Sequence, residues 1–321
     1  MNPHRASSIF TTMLLMLSML MGTAQAQSLS YTPEVNSPQW TAVFSDGMAD
    51  VNGVQLHYVI GGNGPPLVLL HGWLTTWYEW RRVMPELAKN HTIIAPDIRG
   101  EGDSSKPVDG YDKKTAAEDI YQLVRQLGYQ QFDLVGHDIG GMLAYSLAAT
   151  HRHAVRRLVI VDAAQPGVPP WDELVRASRS WHFAFNNVPD VPEMLLSGHE
   201  RQFIAWFFNS QAFRPNALTE SELDVYTRAY SLPGGWRGGV NYYRAFAQDI
   251  KDNTALARTK LTIPVLGIGG AESGLTPRLE KNLRNVANNV RLQVIPNSGH
   301  WVPDEQPAAL LSALQTFLDK P

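Results

Sequence analysis

Apolar positions along the chain fall into two spacings. Short continuous runs at 66–70, 92–95, 132–135 and 158–161 have the unbroken hydrophobicity of strands buried on both faces of a parallel sheet. Between them, 77–89, 116–127 and 141–149 carry helical spacing. Upstream, 43–51 and 54–60 flank Asn52-Gly53, the dipeptide of a tight hairpin. From 165 to 253 there is no buried-strand run, and aromatics recur at helical spacing. Strands resume at 264–268 and 291–295, and a final helix is expected over 307–318. This alternation predicts an α/β fold with a mostly parallel eight-stranded sheet, helices on both faces, and a helical cap inserted after the sixth strand. The expected divisions are a leader at 1–26, core at 27–164, cap at 165–253 and core again at 254–321.

Composition narrows the function. The chain has 321 residues, 44% of them hydrophobic and 18% charged, which excludes a disordered polypeptide. Lys and Arg total 27 against 30 Asp and Glu, so there is no basic excess for a nucleic acid partner. The absence of Cys excludes disulfides, Cys-ligated zinc, iron–sulfur clusters and thiol catalysis. His151-Arg152-His153 lacks a carboxylate and cannot put both rings on one helix face, so it reads as a solvated terminus and not a metal site.

Residues 1–26 read as a secretory signal peptide. Arg5 precedes an apolar run at 9–21, and Ala24-Gln25-Ala26 is a small-residue cleavage site. The run is too short to span a hydrocarbon core of about 30 Å. Periplasmic or secreted localisation is therefore expected, without a stable membrane anchor.

The candidate chemistry sits after the run at 132–135, in Gly136-His137-Asp138-Ile139-Gly140-Gly141. A small–x–nucleophile–x–small pattern between strand and helix is a nucleophile elbow, and its central residue here is Asp138. A carboxylate attacking an acyl carbonyl gives an unproductive anhydride. Attacking a saturated carbon, it gives an ester that water can cleave. That points to epoxide opening or carbon–halogen cleavage.

Here the chain resembles the α/β-hydrolase fold, and within it the epoxide hydrolases and dehalogenases. The likeness rests on His71-Gly72-Trp73, on Asp97-Ile98-Arg99-Gly100-Glu101-Gly102-Asp103-Ser104, on the elbow, and on Gly299-His300-Trp301. It implies Asp138 as nucleophile, His300 as the base that activates water, and the Trp73 and Ile139 amides as the oxyanion hole. Two carboxylates are placed to orient His300: Asp162, at the end of the sixth strand and preferred, and Glu272, after the seventh.

The cap segments Ser180-Trp181-His182-Phe183-Ala184-Phe185 and Asn241-Tyr242-Tyr243-Arg244-Ala245 resemble Cif-type epoxide hydrolases, an exported bacterial subgroup with a lid His/Tyr pair. This implies that His182 and Tyr243, with Tyr242 as the alternative, hold and protonate the epoxide oxygen. The subgroup carries Glu where this chain has Asp162, and its turn differs at Trp73-Leu74-Thr75. The implied reaction converts a small-molecule epoxide to a vicinal diol through an Asp138 ester, without cofactor or metal; homodimerisation is left open. Two alternatives stand. One is a haloalkane or haloacid dehalogenase. Haloacid enzymes of this fold place an Arg after the nucleophile, where Ile139 stands, and haloalkane enzymes carry Asn at Trp73, but Trp181 could serve a halide. The other is a non-catalytic binding or effector protein.

Overall fold

The computed structural model describes residues 34–319. The expected leader at 1–26 lies outside them. The strands are β1 (Phe44–Val51), β2 (Val54–Gly62), β3 (Pro66–Leu70), β4 (Thr92–Pro96), β5 (Phe132–His137), β6 (Val155–Val161), β7 (Leu261–Gly270) and β8 (Ala287–Ile295). They form one sheet in the order β1-β2-β4-β3-β5-β6-β7-β8, parallel except where β2 meets β1 and β4. The β1–β2 turn needs two residues at positive φ, and Asn52 (φ 46°) and Gly53 (φ 77°) provide them.

Alternate strand residues feed two cores, as the period of two requires. Leu67, Leu69, Ile93, Val135 and Val159 face Met84, Leu87, Leu310 and Leu314. Val68, Leu70, Ile94, Leu134 and Ile160 face the helices Lys113–Gln126 and Ile139–Thr150 and, beyond them, the aromatic residues between β6 and β7. That intervening chain is helical, from Trp171–Val175 to Phe246–Leu256.

Two local expectations are corrected. The helix expected over 77–89 is broken into a 3-10 turn, Trp77–Trp80, and a short helix, Met84–Leu87. Pro85 has no N–H to extend a preceding turn, so it sits in the first turn of a new one. A helix over Thr276–Val286, between β7 and β8, was not foreseen; it buries only Leu279, Leu283 and Val286 as large apolar residues.

Charged pairs fasten the helical segment to the helices and turns that cover the sheet. Lys113 Nζ donates to Asp249 Oδ2 at 2.7 Å and to the Tyr242 carbonyl at 2.6 Å. Glu222, in the helix Glu220–Ser231, pairs with Arg81 and Arg82 while also closing a capping box with Thr219.

Candidate active site

Asp138 joins β5 to the helix Ile139–Thr150 at φ 47°, ψ −120°. An L-residue held there stores about 1–3 kcal/mol of strain. The glycines around it are required by close backbone approach. A Cβ at Gly136 would strike the Gly140 carbonyl, and one at Gly140 would strike the Leu70 and His71 carbonyls. The Asp138 amide donates to Val161 O at 3.1 Å, and its carbonyl accepts from Gly141 and Met142. The elbow so formed lifts the carboxylate to the end of the sheet, where the Trp73 amide donates to Oδ2 at 3.1 Å. Ile139 is fully buried at the first position of the helix, where backbone amides lack intrahelical acceptors.

His300 follows β8, and its Nδ1 lies 2.5 Å from Asp162 Oδ2. Asp162 follows β6, is buried, and also holds a positive φ of 41°. Its Oδ2 accepts from the Ser273 hydroxyl at 2.7 Å. Glu272, the other carboxylate considered, is exposed; its backbone, not its side chain, is engaged, through Ser298 O and Arg179. Ser273 was missed in the sequence. A lone Ser in a glycine-rich loop gives no pattern, and only the fold brings it to Asp162.

A cavity of about 310 Å³ opens over these groups. Asp138, His300, His182, Tyr243, Phe183 and Phe207 are on its wall. His182 lies on the helix Trp181–Asn186 and Tyr243 on Gly235–Arg244. Both rest on the Trp73 indole, His182 stacked at 5.7 Å and Tyr243 edge-on at 5.0 Å, and their own rings are 5.6 Å apart. Gly238 and Gly239 let the Tyr243 helix come this close. A Cβ at Gly238 would collide with Gly100, and one at Gly239 would stand 2.8 Å from Trp73 Nε1. Tyr242, the next residue, points elsewhere; its hydroxyl donates to Arg99 O at 2.9 Å. Trp181 is not on the cavity wall; it is 38% exposed and packs on Trp206.

Burial pushes the His182 imidazole down to about 4, against the pull of Asp138, so the ring is neutral near pH 7. Burial, reinforced by Asp138, drives the Tyr243 phenol well above its ordinary value. Both side chains are therefore neutral near pH 7, on the wall of the cavity that Asp138 also lines. Among the described residues, His57, Asp97 and Asp103 come within metal-ligand reach of one another. Their valences are already taken. His57 bridges Asp97 at 2.8 Å and Asp46 at 3.0 Å, and Asp103 pairs with Arg228. Burial alone would discharge His57, yet Asp97 and Asp46 outweigh it and raise its pKa to about 9.

The family model described as the alpha/beta hydrolase fold matches residues 65–307. The chain belongs to the α/β-hydrolase family. Among relatives of this α/β-hydrolase, a protein named soluble epoxide hydrolase from Corynebacterium sp. (strain C12) is 39% identical over 281 residues, covering 84% of this chain and 95% of the relative. One named fluoroacetate dehalogenase, from Burkholderia sp., is 31% identical over 288 residues, covering 86% and 94%. A solved structure, Cfl2 from Burkholderia cenocepacia, superposes with a TM-score of 0.80 at 38% identity, covering 86% of this chain and 96% of that one.

Proposed function

We propose that this α/β-hydrolase is an epoxide hydrolase working through an Asp138 ester. The observation that carries the reading is a carboxylate at the elbow facing two neutral lid donors across one cavity. The 39% identical soluble epoxide hydrolase supports it.

In the first step an Asp138 carboxylate oxygen bonds to an epoxide carbon from the side opposite the breaking C–O bond. The electron pair goes to the epoxide oxygen. That oxygen takes the Tyr243 proton and a hydrogen bond from His182. A neutral His182 suits this, since an imidazolium would pair with Asp138 and blunt the nucleophile. In the second step His300, oriented by Asp162, takes a proton from water as the water oxygen bonds to the ester carbon. The Trp73 and Ile139 amides hold the oxyanion. Collapse releases the alcohol oxygen, which recovers the His300 proton, and a diol leaves. The proton left on the Asp138 carboxyl returns to Tyr243, so epoxide and water give diol with the enzyme restored.

The dehalogenase reading has the fluoroacetate relative in its favour. Against it, Ile139 offers no cation for a haloacid carboxylate, and Trp181 lies off the cavity wall. We further propose export, with cleavage after Ala26.

The test is the intact mass of His300→Gln after mixing with epoxides and halogenated compounds. A gain equal to the whole epoxide supports the reading. A gain of substrate less hydrogen halide replaces it with the dehalogenase. No adduct, with no diol from the parent protein, favours a binding role.

A further inference from the structure

Behind the elbow lies a pair of side chains that takes no part in the mechanism above. His137 immediately precedes Asp138, and Glu79 ends up beside it from the 3-10 turn Trp77–Trp80; both are fully buried. Glu79 Oε1 lies 2.7 Å from His137 Nδ1. The other ring nitrogen, Nε2, is 3.0 Å from the carbonyl of His300. A carbonyl only accepts, so Nε2 carries a proton and donates. The second carboxylate oxygen of Glu79 accepts the Gly72 amide at 3.3 Å.

The pair therefore touches three separated pieces of backbone. One is the turn that carries the Trp73 amide. One is the elbow itself, through the residue next to Asp138. The third is the residue whose side chain is the water-activating base. The packing is close: a Cβ on Gly72 would stand 2.9 Å from Asp138 Cβ and 3.1 Å from His137 Nδ1. The His137 and His300 rings are 4.7 Å apart. Burial opposes a charge on His137, but the Glu79 carboxylate outweighs it and lifts the ring to about 9, so both nitrogens carry protons near neutrality. Every acceptor and donor of the pair is then used on the site's own scaffold.

We infer that His137 and Glu79 are positioning residues that hold the His300 base and the Trp73 amide in register with the Asp138 ester. The inference rests on the covalent-ester reading. Its chemical consequence is asymmetric. Ester formation needs the Asp138 carboxylate and the lid donors, which the pair reaches only indirectly, through the elbow backbone and the Trp73 amide that donates to Asp138 Oδ2. Ester hydrolysis needs His300, whose carbonyl and ring His137 touches, and the Trp73 amide, one residue beyond the Gly72 amide that Glu79 holds.

Glu79→Gln is a conservative variant. Its amide nitrogen can donate to His137 Nδ1 and its oxygen can accept from Gly72, with Nε2–H still on His300 O, so all the bonds survive without the charge. Glu79→Ala and His137→Gln break them.

The experiment is single-turnover formation and breakdown of the ester with an epoxide that labels His300→Gln. Glu79→Ala and His137→Gln should slow breakdown by about ten-fold or more, with formation changed less than about three-fold, so that ester accumulates. Glu79→Gln should restore breakdown to within about three-fold of the parent protein. Parent-like breakdown in both disrupting variants would overturn the inference, as would equal slowing of both steps. Two disrupting variants that fail to fold would overturn it too, making the pair a stability element. If His300→Gln itself forms no ester with any epoxide, the covalent reading has failed before the pair is tested.

Discussion

His300 Nδ1 stands 2.5 Å from Asp162 Oδ2, and the Ser273 hydroxyl donates to that same carboxylate oxygen at 2.7 Å. Asp162 thus orients the ring, which under the proposed mechanism leaves its other nitrogen for water, and Ser273 holds Asp162. Asp162→Asn should lower turnover by about 10³–10⁴-fold, because an amide can donate to Nδ1 and favour the wrong tautomer. The loss should fall on ester breakdown, read as accumulated adduct mass. Ser273→Ala should cost about ten-fold through a looser carboxylate. Glu272→Gln, exposed and off the ring, should stay within about two-fold of the parent.

The adjacent tyrosines offer a sharper contrast. Tyr243 is on the cavity wall, while the Tyr242 hydroxyl is spent on Arg99 O. Tyr243→Phe should slow ester formation by about 10²-fold with little change in thermal midpoint. Tyr242→Phe should leave formation nearly unchanged and destabilise the fold by about 1–3 kcal/mol, since the buried Arg99 carbonyl loses its partner. A stopped-flow trace of ester formation and a melting curve on each variant separate the two.

That contrast also marks where the sequence was readable. The elbow, the hairpin and the buried strands are local patterns, dictated by backbone sterics at Gly136, Gly140 and Asn52-Gly53. Asp138 could be named from the elbow pattern, and Asp162 and His300 from the family resemblance and their places after strands. Asp162 is preferred over Glu272 from its place at a strand end, whereas the 2.5 Å approach to His300 across β6, β7 and β8 is encoded in no local spacing. Tyr242 and Tyr243 differ only in how their helix is rotated, and Gly238 and Gly239 set that by letting it close on Gly100. Ser273 and the His137–Glu79 contact are long-range meetings of polar residues with no periodicity. The helix Thr276–Val286 was missed because its apolar stripe is narrow. The helix expected over 77–89 failed because Pro85 outweighed an apolar spacing.

Glu222 gives a pH prediction. Burial works against its charge, but Arg81 outweighs burial, with Arg82 adding to it, and holds the carboxyl down from 4.5 to about 2. A carboxyl depressed on folding stabilises the native state above its unfolded value, and that contribution is lost as pH falls through the folded value. Glu222→Gln keeps the capping geometry with Thr219 and removes only the ion pairs. The melting temperature of the variant should lie roughly 2–6 °C below the parent at pH 5–7. The gap should close between pH 4.5 and about 2. A gap independent of pH would mean that the pairing with Arg81 and Arg82 contributes nothing.

Tyr230 joins the helical segment to the Trp73-Leu74 turn. Its hydroxyl donates to Glu101 Oε1 at 2.8 Å and accepts the Leu74 amide at 2.9 Å. Leu74 follows Trp73 and sits at φ 68°, a conformation a leucine adopts only under constraint. Burial drives the Glu101 carboxyl well above its ordinary range, against the hydrogen bond from Tyr230 that favours its charged form. Tyr230→Phe would leave a buried amide and a buried carboxyl each short of a partner, a loss of about 1–3 kcal/mol, and would release the strained turn that aims the Trp73 amide. Ester hydrolysis should slow by about ten-fold as that donor drifts. Tyr226 is the control. Its hydroxyl is equally buried but has no hydrogen-bond partner among the described residues. Tyr226→Phe removes a desolvated polar atom and nothing it was bonded to, so the fold should be unchanged or slightly more stable. Equal melting curves for the two variants would show that the Tyr230 hydroxyl holds neither Glu101 nor the Leu74 turn.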